Sequence, residues 1–236
     1  MESNYIYFNP CKLLDPLTNN WEIIRDEFIK QCLRESYWVR EKYIPEEKGV
    51  KANYVTDLTG EELYVGDFNA MPLMLRDNFV DHHEAKSMNW ENWKQPGGSK
   101  ISFNDERLHY MPFIQQWMYK NIEVLGAVTF NISLPGSKLN HHWGLVDEYI
   151  RFHLVLKQAS GCVFDIENER HEWADGELFG FDDCNVFHGT KHTGEEPRII
   201  MLIDILKSAV QPYAKTWPVR ENIPRNKRTI PTILDW

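Results

Sequence analysis

Residues 131–144 read NISLPGSKLNHHWG, and residues 178–189 read LFGFDDCNVFHG. Each runs from an apolar, strand-like piece into a turn, built on Pro-Gly in one case and on paired aspartates in the other, and then reaches a histidine. His142 and His188 therefore stand at strand ends, where a small barrel gathers positions far apart along the chain at one mouth. Further short β-type runs flank these stretches at residues 124–133, 149–157, 161–166, 177–181 and 198–205, punctuated by Pro135-Gly136, Ser160-Gly161 and Asp175-Gly176. Short strands at regular spacing indicate a sandwich or barrel. The expected class is α+β: a double-stranded β-helix (jelly roll, cupin-like) with a helical N-terminal section.

Upstream the texture differs. Residues 20–43 predict a helix whose buried face carries Trp21, Ile24, Phe28, Cys32 and Leu33. A second, shorter helix is expected over 111–120, opening near Pro112. Residues 45–70 hold short alternating pieces such as 62–65, and Pro96-Gly97-Gly98 marks a loop. The expected organisation is a helical or mixed section over 1–110 packed on the core, a β-helix core over 111–206, and a C-terminal arm over 207–236. Together they make one structural domain.

Bulk properties narrow the function classes. In 236 residues, 42% are hydrophobic and 13% aromatic, enough for a packed core. A net charge of -9 argues against a nucleic-acid polymer as partner, because phosphate neutralisation needs a basic surface. Arg220, Arg225, Lys227 and Arg228 form a local basic stretch that reads as a solvated tail or as a contact for an anionic small molecule. Cys11, Cys32, Cys162 and Cys184 contain no C-x-x-C pair. The N-terminal residues carry no signal-peptide pattern, and no apolar run reaches membrane-span length. The expectation is a cytoplasmic protein with free thiols and no membrane partner.

Nine histidines include the pairs His82/His83, His141/His142 and His188/His192. Neutral imidazole suits iron, zinc, copper or nickel. Non-haem iron oxygenases commonly use two histidines and one carboxylate, the carboxylate arriving as His-x-Asp or His-x-Glu. Here the triplet is His142-Trp143-Gly144, and glycine has no donor. Asp147 and Glu148 lie off the spacing of that triad, so substrate contact or solvation suits them better. His192 stands as an alternative to His188, and the pair Asp182-Asp183 reads as a turn cap or as a hydrogen-bonding group that orients a ligand.

The set resembles the aspartyl/asparaginyl β-hydroxylase family. The resemblance rests on His142-Trp-Gly144, Arg151-Phe-His153-Leu154, Gly161-Cys162, Trp173-Ala-Asp-Gly176, Phe181-Asp182-Asp183, His188 and Arg198, in that order over roughly 111–206. It implies Fe(II) on His142 and His188, with water in the place left by Gly144. It implies 2-oxoglutarate and O2 as cosubstrates, with Arg198 on the distal carboxylate and Arg151 and His153 at the other end. A fixed guanidinium fork suits a dicarboxylate. The family's cosubstrate-binding serine is replaced by Asn131, with Ser133 on the same strand face, and an arginine common before Arg151 is replaced by Tyr149. The segment between Asp183 and His188 is one residue longer than the family pattern and calls for a bulge.

The function expected from this resemblance is Fe(II)/2-oxoglutarate-dependent hydroxylation of an unactivated C–H bond in a small or amino-acid-like substrate. An iron halogenase, with chloride in the vacant position, fits the same triplet. A non-catalytic jelly-roll binding protein is the rival from another class. A zinc hydrolase fits less well, because catalytic zinc usually takes three protein ligands.

Overall fold

From Leu125 onward the chain shuttles between two antiparallel sheets. A computed structural model describes residues 5, 7–8, 12–35, 64–66, 68–76, 93–94, 101–144 and 146–210. The core strands are β6 (Leu125–Ser133), β7 (Lys138–His142), β8 (Tyr149–Lys157), β9 (Cys162–Ile166), β10 (Glu169–His171), β11 (Leu178–Phe181), β12 (His188–His192) and β13 (Arg198–Leu206). Before them come β1 (Tyr7–Phe8), α1 (Asp15–Thr18), α2 (Trp21–Glu35), β2 (Tyr64–Val65), β3 (Phe68–Arg76), β4 (Trp93–Lys94), β5 (Ile101–Asn104), α3 (Asp105–His109) and α4 (Pro112–Asn121), and α5 (Lys207–Val210) follows. The larger sheet runs β1-β11-β8-β13-β6-β3-β5-β4 and the smaller β10-β9-β12-β7-β2. The inner orders β11-β8-β13-β6 and β10-β9-β12-β7 are those of a double-stranded β-helix, as expected.

Alternation along the central strands separates a packing face from a chemical face. On β13, Ile199, Met201, Ile203 and Ile205 join the main hydrophobic core, as do Ile150, Phe152, Leu154 and Leu156 of β8. Helix α2 covers that face with Ile24, Phe28 and Cys32, and the Phe28 ring stacks on Phe130 with centroids 4.4 Å apart. The other face turns to the smaller sheet. It carries Arg198 and Asp204 from β13 and Arg151 and His153 from β8, with Val155 and Ile200 packed in a second cluster against Phe164, Phe179 and Phe181. Burying each such large side chain contributes on the order of 1.5–3 kcal/mol.

The sequence expectations differ from the structure at definable places. Helix α2 is described to Glu35, and residues 36–43 of the expected helix lie outside the described residues. Within the section expected to be helical or mixed, strands join the core sheets, since β3 pairs with β6 and β2 with β7. Strand β3 hides in the sequence because Pro72 interrupts it, and the ladder shifts register between Pro72 and Met74 to accommodate a residue with no N–H. Strands β7, β10 and β12 were not expected as strands. Their Lys, Asn, His and Gly residues mask the alternation. The loop at 96–98 and the arm from 211 onward, with Arg220, Arg225, Lys227 and Arg228, lie outside the described residues.

Local chemistry sets two junctions. Gly136 takes φ +82° after Pro135, and Ser137 N–H donates to Leu134 O at 3.0 Å, closing a Pro-Gly turn that sends the chain from β6 into β7. Met111 offers no side-chain cap to α4, and the Phe113 N–H instead donates to Glu27 Oε1 at 3.1 Å, tying α4 to α2.

Candidate active site

His142 closes β7 and His188 opens β12, and the two are direct cross-strand partners. Their ring centroids lie 4.3 Å apart. A register shift follows between His188 and Thr190, next to the long segment for which the sequence called for a bulge. His142 Nδ1 lies 2.9 Å from Asn140 O, and His188 Nδ1 lies 3.0 Å from Val186 O. A carbonyl only accepts, so each Nδ1 carries a proton, and a ring with no second proton presents its Nε2 lone pair. Burial, and then the neighbouring His188, push His142 down to about 3, so it is neutral at working pH.

A carboxylate completes the group. Asp183, on the turn between β11 and β12, places Oδ1 3.2 Å from His188 Nε2. One donor atom each from His142, Asp183 and His188 lie within 4.8 Å of one another. When its one ring proton is on Nδ1, His188 sets Nε2 and Asp183 Oδ1 as two lone-pair atoms face to face, an arrangement that a cation relieves. Two ligands at right angles on bonds of about 2.1 Å stand about 3 Å apart, so the spacing fits a first-row metal. Burial alone would raise the Asp183 carboxyl, but the Arg151 guanidinium outweighs it and holds the group well below the usual carboxylate range.

Gly144 gains a reason from this geometry. A Cβ there would lie 1.5 Å from Asp183 Oδ2, and the Gly144 N–H donates to Asp183 O at 2.7 Å. The residue that lacks a carboxylate leaves the space that a carboxylate from another turn fills. Sequence reasoning gave Asp183 only an orienting role; its place five residues before His188 was the available signal.

Arg151 does not point into open space. Its Nη1 donates to Asp183 Oδ1 at 2.9 Å, and Nε and Nη2 grip both oxygens of Asp204 at 3.0 and 3.1 Å. Held by these two ion pairs, the guanidinium supports Asp183 from behind.

Arg198 behaves in the opposite way. It opens β13, is 2% exposed, and has no carboxylate partner among the described residues. Its Nε donates to Gln158 Oε1 at 3.1 Å, while Nη2 is buried without a hydrogen-bond partner. On the same sheet face, His153 Nδ1 and Asn131 Oδ1 are likewise buried and unpartnered, and Ser133 pairs in register with Arg198. Burial, then Arg198 and Arg151, hold His153 well below the ordinary histidine range, so it is neutral. A buried cation facing unpaired polar atoms is costly unless a ligand meets it, and a dicarboxylate fits that need.

The remaining sequence candidates have other partners. His192 bonds through Nε2 to Glu196 O at 2.6 Å and accepts the Gly194 N–H on Nδ1 at 3.2 Å, so both ring nitrogens are engaged away from His142. Asp147 accepts from Asn185 Nδ2 at 2.8 Å and from Lys207 Nζ. Trp143 packs on Phe187, with centroids 4.7 Å apart. His82 and His83 lie outside the described residues.

The sequence profile of the family described as Aspartyl/Asparaginyl beta-hydroxylase matches residues 18–208. This chain belongs to the aspartyl/asparaginyl beta-hydroxylase family. Among its relatives, the human aspartate beta-hydroxylase domain-containing protein 2 is 32% identical over 85 residues, covering 35% of this chain and 23% of the relative. The mouse aspartate beta-hydroxylase domain-containing protein 1 is 29% identical over 90 residues, covering 37% of this chain and 25% of the relative. The chain thus spans about a quarter of the length of the curated relatives it matches. Among solved structures, a Pseudomonas putida prolyl-4-hydroxylase is 12% identical with TM-score 0.41, covering 79% of this chain and 86% of that one. An oxidoreductase of the 2OG-Fe(II) oxygenase family from Burkholderia pseudomallei is 11% identical with TM-score 0.37, covering 60% and 67%. No helix among the described residues of this family member is long and apolar enough to cross a membrane.

Proposed function

We propose that this chain is an Fe(II)- and 2-oxoglutarate-dependent oxygenase that hydroxylates an unactivated C–H bond of a small or amino-acid-like substrate. The observation that carries the reading is a pair of side-chain sets in one β-helix. His142, His188 and Asp183 converge their donor atoms, and Arg198 stands on the neighbouring sheet face, buried and without a carboxylate partner among the described residues.

When bound, Fe(II) supplies the activation of O2 that couples oxidative decarboxylation of 2-oxoglutarate to C–H hydroxylation. The balance is substrate, 2-oxoglutarate and O2 giving hydroxylated substrate, succinate and CO2. The protein's part is positioning. His142 and His188 hold the metal through Nε2, their tautomers fixed by Asn140 O and Val186 O. Asp183 supplies negative charge at the same point, and Arg151 keeps it ionised and in place. Arg198 receives the distal carboxylate of the cosubstrate, with Asn131, Ser133 and His153 beside it. Phe164, Phe179 and Phe181 surround His153 and keep that region dry.

The carboxylate of Asp183 favours hydroxylation over halogenation, because a chloride in the space beside Gly144 would face a like charge. The test is turnover with Fe(II), 2-oxoglutarate, O2 and chloride across a panel of amino acids, peptides and small acids. Succinate release and a substrate mass gain of one oxygen are expected. Exchange of hydrogen for chlorine would overturn the hydroxylase reading, and no succinate under any iron loading would favour a binding protein.

A further inference from the structure

Gln158 lies just beyond the end of β8 and outside every motif that marks the site. Its side chain is nevertheless tied at both ends. Nε2 donates to Ala159 O at 3.1 Å and to Cys162 O at 2.9 Å, and the Gln158 backbone N–H donates to Asp175 Oδ1 at 2.6 Å. Two carbonyls take the amide NH2, so the amide cannot flip, and Oε1 must face outward. The group it faces is Arg198 Nε, at 3.1 Å.

A buried guanidinium is usually answered by a carboxylate, and Arg151 in this same chain grips Asp204 with two nitrogens. At Arg198 the partner is a neutral amide. Its oxygen fixes the plane and direction of the fork but leaves the positive charge and Nη2 uncompensated among the described residues. The geometry points to Gln158 as a positioning residue for Arg198, aiming the guanidinium at a ligand carboxylate without neutralising it, and so setting the affinity for 2-oxoglutarate. This rests on the proposed cosubstrate.

The neutrality of position 158 is the testable part. Gln158→Glu would give Arg198 an internal counter-ion in the direction that Gln158 Oε1 now occupies, in competition with the incoming carboxylate. Calorimetric titration of 2-oxoglutarate into Mn(II)-loaded protein should show a Kd raised about tenfold or more, with Mn(II) affinity unchanged. In turnover, KM for 2-oxoglutarate should rise while kcat at saturation holds. Should this variant fail to fold, Gln158→Met carries the same test. It keeps the charge of Arg198 but removes the oxygen that aims it, and should weaken 2-oxoglutarate by roughly threefold to tenfold. A merely structural role would lower the melting temperature without moving that Kd. Wild-type protein that binds while Gln158→Glu or Gln158→Met binds equally well would overturn the role of Gln158 alone. Wild-type protein that takes up Mn(II) yet binds no 2-oxoglutarate would overturn the oxygenase reading itself.

Discussion

Replacing Gly144 by alanine adds one methyl group where Asp183 Oδ2 already stands, 1.5 Å from the new Cβ, with the Asp183 backbone carbon 3.0 Å away. The carboxylate has to leave, and with it goes the third donor of the proposed metal site. Gly144→Ala should therefore weaken Mn(II) binding by about 10–100-fold, the usual scale for disturbing a group that orients metal ligands. Titration followed by electron paramagnetic resonance measures this, and a cooperative melt confirms the fold. Returning a carboxylate to the ordinary place with Gly144→Asp, while clearing space with Asp183→Gly, should recover part of the loss. Unchanged affinity in Gly144→Ala would mean that Asp183 plays no part at the metal. At this scale the sequence was legible where a residue's neighbours along the chain define it. His142 and His188 announced themselves through strand ends and turns, and Arg198 through the family resemblance. Asp183 as a third donor did not, because the space it fills belongs to a different turn. Gln158 carried no signal, since its proposed role depends on Arg198 meeting no carboxylate among the described residues.

Between residue and molecule, the turns that follow and precede the two histidines are joined by one ammonium. Lys207, first residue of α5, bonds Asp147 in the turn after β7 and Asp182 in the turn before β12, the latter at 3.0 Å. Asn185 Nδ2 bridges the same two carboxylates at 2.8 and 3.0 Å. Burial alone would lower the Lys207 ammonium, but Asp147 and Asp182 reverse this and raise it. A cation with a raised folded value stabilises the fold below its unfolded value and loses that contribution as pH climbs through the folded one. Lys207→Met should therefore be less stable than the wild type by about 1 kcal/mol at neutral pH, a melting shift of about 2–4 °C. The difference should close only above about pH 10.5. Paired melts across pH check this, and a constant gap through pH 11 would sink the latch. Elements follow the same rule of legibility as residues. Strand β8 matches its expected span because alternating apolar residues set its bounds, whereas β7 and β12 escaped notice because their polar residues break the apolar alternation.

Metal binding should be felt by the whole molecule, because its proposed donors come from both sheets. His142 and His188 sit on neighbouring strands of the smaller sheet, and Asp183 sits just past β11 of the larger one. A cation held by all three joins the layers at the mouth of the β-helix, while helix α2 and the apolar face of β8 and β13 close the far side. A ligand that binds only the folded state stabilises it by about 2.7 kcal/mol at a hundredfold excess over Kd. For a chain of this size that corresponds to a rise of roughly 5–11 °C in melting temperature. Mn(II) avoids the oxidation that Fe(II) would bring, and a chelator should return the melt to its starting point. In the pair of variants His142→Ala and His188→Ala, the metal-free melt should stay cooperative and the Mn(II)-dependent rise should largely vanish. A rise that survives both substitutions would place the ion on surface carboxylates, and the two imidazoles would then lose their claim to it.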